Sequence, residues 1–128
     1  MKKIIVLYGR GDIGKTRTLR MVTDMLEGKP LSYSRKDVRE VYSYNEKKVV
    51  VTSYGDTEAI MIENIAFMKA HPFDVAITAA RSYGRTHDRI IEYANASGCE
   101  LVWLMKSYED GDENAINKKY ADKIIALI

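Results

Sequence analysis

An apolar run, a glycine loop and an amphipathic segment follow one another without a break near the N-terminus. Residues 3–8, Lys-Ile-Ile-Val-Leu-Tyr, have the length and β-branching of a buried strand. Residues 9–16 read Gly9-Arg10-Gly11-Asp12-Ile13-Gly14-Lys15-Thr16, a full match to G-x-x-x-x-G-K-[ST]. Leu19, Val22, Met25 and Leu26 then recur as one face of a helix, which Gly28 and Pro30 stop. Strand, glycine loop and helix in that order admit few folds. The chain must turn sharply over the glycines and lay its helix back on a sheet.

Each part of the loop has its own task on a polyphosphate. The glycines let the backbone curl into a concave turn, so that loop and helix-start amides point at phosphate oxygens. Gly9, Arg10, Gly11, Asp12, Ile13, Gly14, Lys15, Thr16 and Arg17 are therefore the candidate phosphate contacts. Lys15 is expected to reach the β- and γ-phosphates and to act in catalysis, and the Thr16 hydroxyl to ligate Mg²⁺.

Further along, residues 37–53 read as a hairpin: an alternating edge strand, a turn at Asn45-Glu46 and a near-continuous apolar strand at 48–53. A helix is expected over about 57–70, with Ile62, Ile65, Ala66 and Met68 or Lys69 at helical spacing, ended by His71-Pro72. Residues 74–79 form the next strand. A helix then starts near Thr86 as N-cap, buries Ile90, Ile91 and Ala94, and stops at Gly98. Residues 100–105 are a fifth strand, a short helix lies around 113–120, and 123–127 closes the chain as a sixth strand. The alternation predicts one α/β domain over residues 1–128. Its sheet is mostly parallel, with about six strands, one antiparallel edge hairpin and helices on both faces.

In such sheets ligands bind beyond the carboxyl ends of the strands. Asp56, Arg81, Arg85 and Lys106 follow their strands and sit at that end. Asp56 is the candidate second Mg²⁺ contact, since the ion takes hard oxygen ligands; Asp56 or Thr57 would otherwise cap the next helix. Arg81 or Arg85 is the candidate for stabilising charge in phosphoryl transfer, or for binding an anionic second substrate. His87 is read as a surface residue of a first helical turn. Tyr8, Tyr54, Tyr83 and Tyr108 fall at strand ends, where one of them could stack a base.

Twenty basic and 18 acidic residues leave a net charge of +2, which ranks nucleic acid last among partners. The single cysteine, Cys99, excludes an internal disulfide framework, reads as a buried thiol and fits a reducing cytoplasm. No apolar run approaches the roughly 20 residues that span a bilayer, and the N-terminal apolar stretch is too short for a signal peptide. No membrane association is expected.

The loop in its strand–helix context resembles the P-loop NTPase superfamily. That resemblance implies a three-layer fold, a nucleoside triphosphate with Mg²⁺, and hydrolysis or phosphoryl transfer. The order of elements is similar to the branch of Ras-like GTPases and MinD/ParA-type ATPases. The loop is also similar to the latter's form G-K-G-G-x-G-K-T, with Arg10 in place of a lysine that reaches phosphates across a dimer interface. The guanine-reading [NT]-K-x-D has no counterpart in Met105-Lys106-Ser107-Tyr108, and D-x-x-G is absent after Asp56. ATP is accordingly expected over GTP. Two functions remain open: a small ATPase or small-molecule kinase with an anionic acceptor, and a slow nucleotide-dependent switch that forms a homodimer or binds a partner.

Overall fold

Ile4, Ile5, Val6 and Leu7 are wholly buried because β1 (Lys3–Tyr8) runs between two parallel neighbours. The computed structural model describes every residue except Met1, Asp12, Asp56 and Tyr83. The expectations placed on Asp12, Asp56 and Tyr83 thus lie outside the described residues. After β1 come α1 (Lys15–Leu26), β2 (Arg39–Tyr44), β3 (Lys47–Thr52), α2 (Glu58–Ala70), β4 (Val75–Ala80), α3 (Arg85–Ser97), β5 (Glu100–Met105) and α4 (Glu113–Leu127). The sheet order is β2-β3-β4-β1-β5, parallel except for the β2–β3 hairpin.

Alternation along the strands splits the core in two. Ile5, Leu7, Val49, Val51 and Ile77 face α1 and α4, where Leu19, Val22, Ala121 and Ile124 meet them. Ile4, Val6, Val50, Ala76 and Ala80 face α2 and α3, against Met61, Met68, Ile90 and Ala94. Each large aliphatic side chain buried this way contributes about 1.5–3 kcal/mol.

The sequence expectation of six strands is corrected here. Residues 123–127 have the length of a strand, but they complete α4. Asn117, Tyr120, Ala121 and Ile124 fall on one helical face and are buried, and α4 packs on α1. Among the described residues the sheet has five strands. The expected buried faces of two helices also shift. In α2, Met61, Asn64, Ile65 and Met68 turn inward while Ile62 is 48% exposed. In α3, Ile90 and Ala94 are buried but Ile91 is 37% exposed. Both segments carry apolar residues on more than one side, so spacing alone leaves two stripes to choose from.

The punctuation of the chain follows backbone sterics. Gly28 (φ 69°) and Gly98 (φ 71°) end α1 and α3 in the left-handed region that favours glycine. Thr57 caps α2, its hydroxyl accepting from the Ile60 amide at 3.2 Å. Thr86 does not cap α3. Gly84 holds that position, and the buried Thr86 hydroxyl accepts from the Arg81 amide instead. The hairpin turn has positive φ at both Asn45 (49°) and Glu46 (66°), the two-residue geometry whose twist matches antiparallel strands.

Candidate functional site

The carboxyl ends of β1, β4 and β5 converge on the glycine loop. Gly9 is where β1 leaves the sheet, and its amide donates to the Ala80 carbonyl at 3.2 Å. A side chain has no room there: a Cβ on Gly9 would lie 2.3 Å from the Lys106 carbonyl oxygen. Gly14 sits at φ 87° as N-cap of α1, with no side-chain cap and no acidic residue in the first turn. The first amides of that helix have no intrahelical acceptor, and the helix dipole adds partial positive charge beside them.

Lys15 turns back into the loop. Its Nζ donates to the carbonyls of Gly9, of Arg10 at 3.2 Å and of Ala80 at 3.1 Å. The side chain is 7% exposed. The converging carbonyls draw the ammonium inward.

The strand order decides which neighbouring strand end reaches the loop. β4 lies between β1 and β3, so the residue following β4 is the near one. Arg81 lies against Gly11, where a methyl group would meet its guanidinium at 3.0 Å. Arg85 and Arg89 point elsewhere. Both reach Glu58 of α2, at 3.5 Å and 2.7 Å, and so link α3 to α2. Of the two candidate arginines, only Arg81 joins the loop.

Thr16 meets a carboxylate that the motif analysis passed over. Its hydroxyl donates to Asp37 Oδ1 at 3.1 Å, and the Ser53 hydroxyl donates to the same oxygen at 2.8 Å. Ser53 ends the β3 side of this cluster and also accepts from the Val38 amide at 2.7 Å. These are hard oxygen donors next to the loop, a donor set that fits Mg²⁺. Among the described residues no group of three or more His, Cys, Asp or Glu side chains gathers, so Asp37 is the one carboxylate of this cluster. Asp37 carried only a weak sequence signal, as a polar residue opening a strand after a long connection.

A cavity of about 520 Å³ opens beside the loop, between the start of α1, the β5–α4 connection and the first turns of α4. Lys106 forms part of its wall. The residue is 3% exposed, its Nζ donates to the Ile13 carbonyl at 2.6 Å, and the ammonium lies 5.0 Å from the Tyr120 ring centre. Burial pushes the Lys106 ammonium below its ordinary pKa. Asn117 of α4 is also 3% exposed and lines the same space, its carboxamide against Gly14. Arg17 is tied to Glu113 across 2.7 Å, from the first turn of α1 to that of α4. Glu109 receives Lys119 Nζ at 2.6 Å and Tyr120 Oη at 2.8 Å, and these donors hold its carboxyl below the usual range.

Of the described strand-end tyrosines, Tyr108 lines the cavity, with Arg10 5.9 Å from its ring centre. Tyr54 lies under Arg39. Tyr8 packs edge-on against Trp103 and His87, which makes His87 a half-buried member of an aromatic group; its Nε2 contacts the Arg81 carbonyl. Cys99 is half-buried, with the Ser97 hydroxyl 3.2 Å from its sulfur.

No protein-family model, curated protein or solved structure matches the chain. Among the described residues no helix is long and apolar enough to cross a membrane.

Proposed function

We propose that this chain binds Mg–ATP on the loop 9–17 and hydrolyses the γ-phosphate or transfers it to a small anionic acceptor. One observation carries the reading. The glycine loop leads into the start of α1 at Gly14, where no side chain caps the helix, and Lys15 stands at that start with its ammonium held by the carbonyls of Gly9, Arg10 and Ala80, to be handed to a phosphate on binding. A terminal phosphate group is the ligand such a spot is built to receive. Thr16 and Asp37, with Ser53 behind them, would hold Mg²⁺, which when bound offsets charge on the terminal phosphates. Arg81, whose guanidinium lies by Gly11, would meet charge that builds on equatorial oxygens during transfer.

Calorimetric titration of ATP with Mg²⁺ into the wild type and Lys15→Ala tests this reading. Micromolar-range binding that the variant loses is the expected result, and equal binding by both proteins rejects it. Steady turnover that rises with one metabolite supports a kinase over a simple ATPase. A reducing cytoplasm, consistent with the lone Cys99 thiol, is the compartment we propose.

The Thr16–Asp37 bond favours a second reading. It ties α1 to the connection 28–36 and to the start of the hairpin. In this reading Thr16 ligates Mg²⁺ without Asp37, which would break that bond and free the connection to form a surface for a second copy or a partner. An elution volume on size exclusion that is unchanged by a non-hydrolysable ATP analogue counts against the homodimer form.

A further inference from the structure

The cavity beside the loop contains a polar group with unused capacity. Asn117 is 97% buried by its 3% exposure, yet its carboxamide makes no hydrogen bond to any described residue. Its polar atoms are not among the sealed, unsatisfied ones, so the amide's hydrogen-bonding capacity opens on the cavity. Asn117 stands where α4 meets the loop, in contact with Gly14 and on the wall of the 520 Å³ space. That volume lies in the range of small-molecule sites.

Several other polar groups of the cavity are engaged, while Arg35 on its rim offers a cation to the phosphates. Glu109 is held by Lys119 and Tyr120, and Glu113 by Arg17. Lys106 is spent on the Ile13 carbonyl. Apolar Ile13 and Ile116 and the ring of Tyr108 complete the lining. A guanine N1–H and N2–H₂ edge calls for a carboxylate, and Glu109 and Glu113 already accept from Lys119, Tyr120 and Arg17. An adenine edge offers one donor at N6 beside a ring-nitrogen acceptor, and a carboxamide answers both at once.

We propose that Asn117 is the specificity-determining residue of this site, and that its carboxamide pairs with the adenine edge of the bound nucleotide. The inference rests on the phosphate-loop reading and adds the base to it. Oδ1 accepts from the N6 amino group and Nδ2 donates to the adjoining ring nitrogen. The fixed Glu109–Lys119–Tyr120 cluster keeps the β5–α4 connection in place around the base.

Calorimetry with Mg²⁺ and three probes, namely ATP, GTP and inorganic triphosphate, tests it on the full chain. The wild type is expected to bind ATP at least about tenfold more tightly than GTP, the discrimination a bidentate amide–base pair supplies. Asn117→Ala should bring ATP down to the GTP level and leave triphosphate binding unchanged. Asn117→Asp, which keeps the shape but replaces the donor by a second acceptor, should lose ATP affinity and gain on GTP. Triphosphate binding without an ATP–GTP gap in the wild type, or a gap that survives Asn117→Ala, overturns the assignment and leaves the loop reading standing. Failure of triphosphate to bind the wild type overturns both. The wild-type ratio needs no variant, so a poorly folding substitution does not block the test.

Discussion

The hydroxyl of Thr16 donates to Oδ1 of Asp37 across 3.1 Å, joining the first turn of α1 to the residue just before the hairpin. Twenty-one positions apart in the chain, the two residues form an oxygen pair that the motif alone does not announce. Asp37→Asn keeps the size of the group and removes its charge. Because Asp37 is exposed, the fold should be unaffected, while Mg²⁺-dependent ATP affinity should fall about 10–100-fold. Calorimetry with and without Mg²⁺ on both proteins checks this; identical Mg²⁺ dependence removes Asp37 from the metal role.

Lys15→Ala should act on stability as well as on binding. The ammonium serves the carbonyls of Gly9, Arg10 and Ala80 in a buried setting. Removing it leaves those acceptors short of a donor, at a cost of about 1–3 kcal/mol. Ligand-free thermal melts should show a lower midpoint than the wild type.

Arg81→Ala and Arg85→Ala should separate cleanly. Arg81 lies on Gly11, whereas Arg85 faces Glu58. Turnover should drop about 100-fold in the first variant and stay at the wild-type rate in the second. Steady-state kinetics on the pair decide whether the near arginine serves the reaction.

The two-residue hairpin loop holds a glutamate at φ 66°. A non-glycine residue in the left-handed region is strained by about 1 kcal/mol, and the second position of this turn favours glycine. Glu46→Gly should therefore stabilise the protein by about 0.5 kcal/mol once backbone entropy is set against the relief. Chemical denaturation should place its midpoint above that of the wild type.

Acid stability should depend on Glu109. Its hydrogen bonds from Lys119 and Tyr120 hold its native pKa below the ordinary 4.5. A carboxyl lowered on folding contributes stability that is fully present above the unfolded value and is lost as pH falls through the native one. Glu109→Gln should be slightly less stable than the wild type near neutrality and show a shallower loss below about pH 4.5. Melting curves across that window measure the difference, which is small because the group is solvent-exposed.

The alternation of apolar runs placed all five strands to within a residue or two because each is short and rich in β-branched, aromatic or aliphatic residues. It failed at 123–127, where Lys-Ile-Ile-Ala-Leu satisfies a strand and a helix equally well and only packing on α1 decides. That failure also concealed Asn117. Read as one helix, 113–127 places a lone asparagine on the stripe of Tyr120, Ala121 and Ile124, the mark of a polar group buried for a reason. Arg81 was legible from its position after a strand, yet its separation from Arg85 required the sheet order, which no local pattern encodes. Asp37 required the return path of the connection 28–36, a tertiary fact.

The cavity wall on α4 comes from the last stretch of the chain, whereas the carbonyls around Lys15 belong to β1, the loop and β4. On the ribosome, which delivers the N-terminal part first, the carbonyls around Lys15 are all present once Ala80 has emerged. The wall bearing Asn117 arrives some forty residues later. On the proposed reading, a nascent chain would hold a triphosphate before it could discriminate among bases, which awaits docking of the final helix.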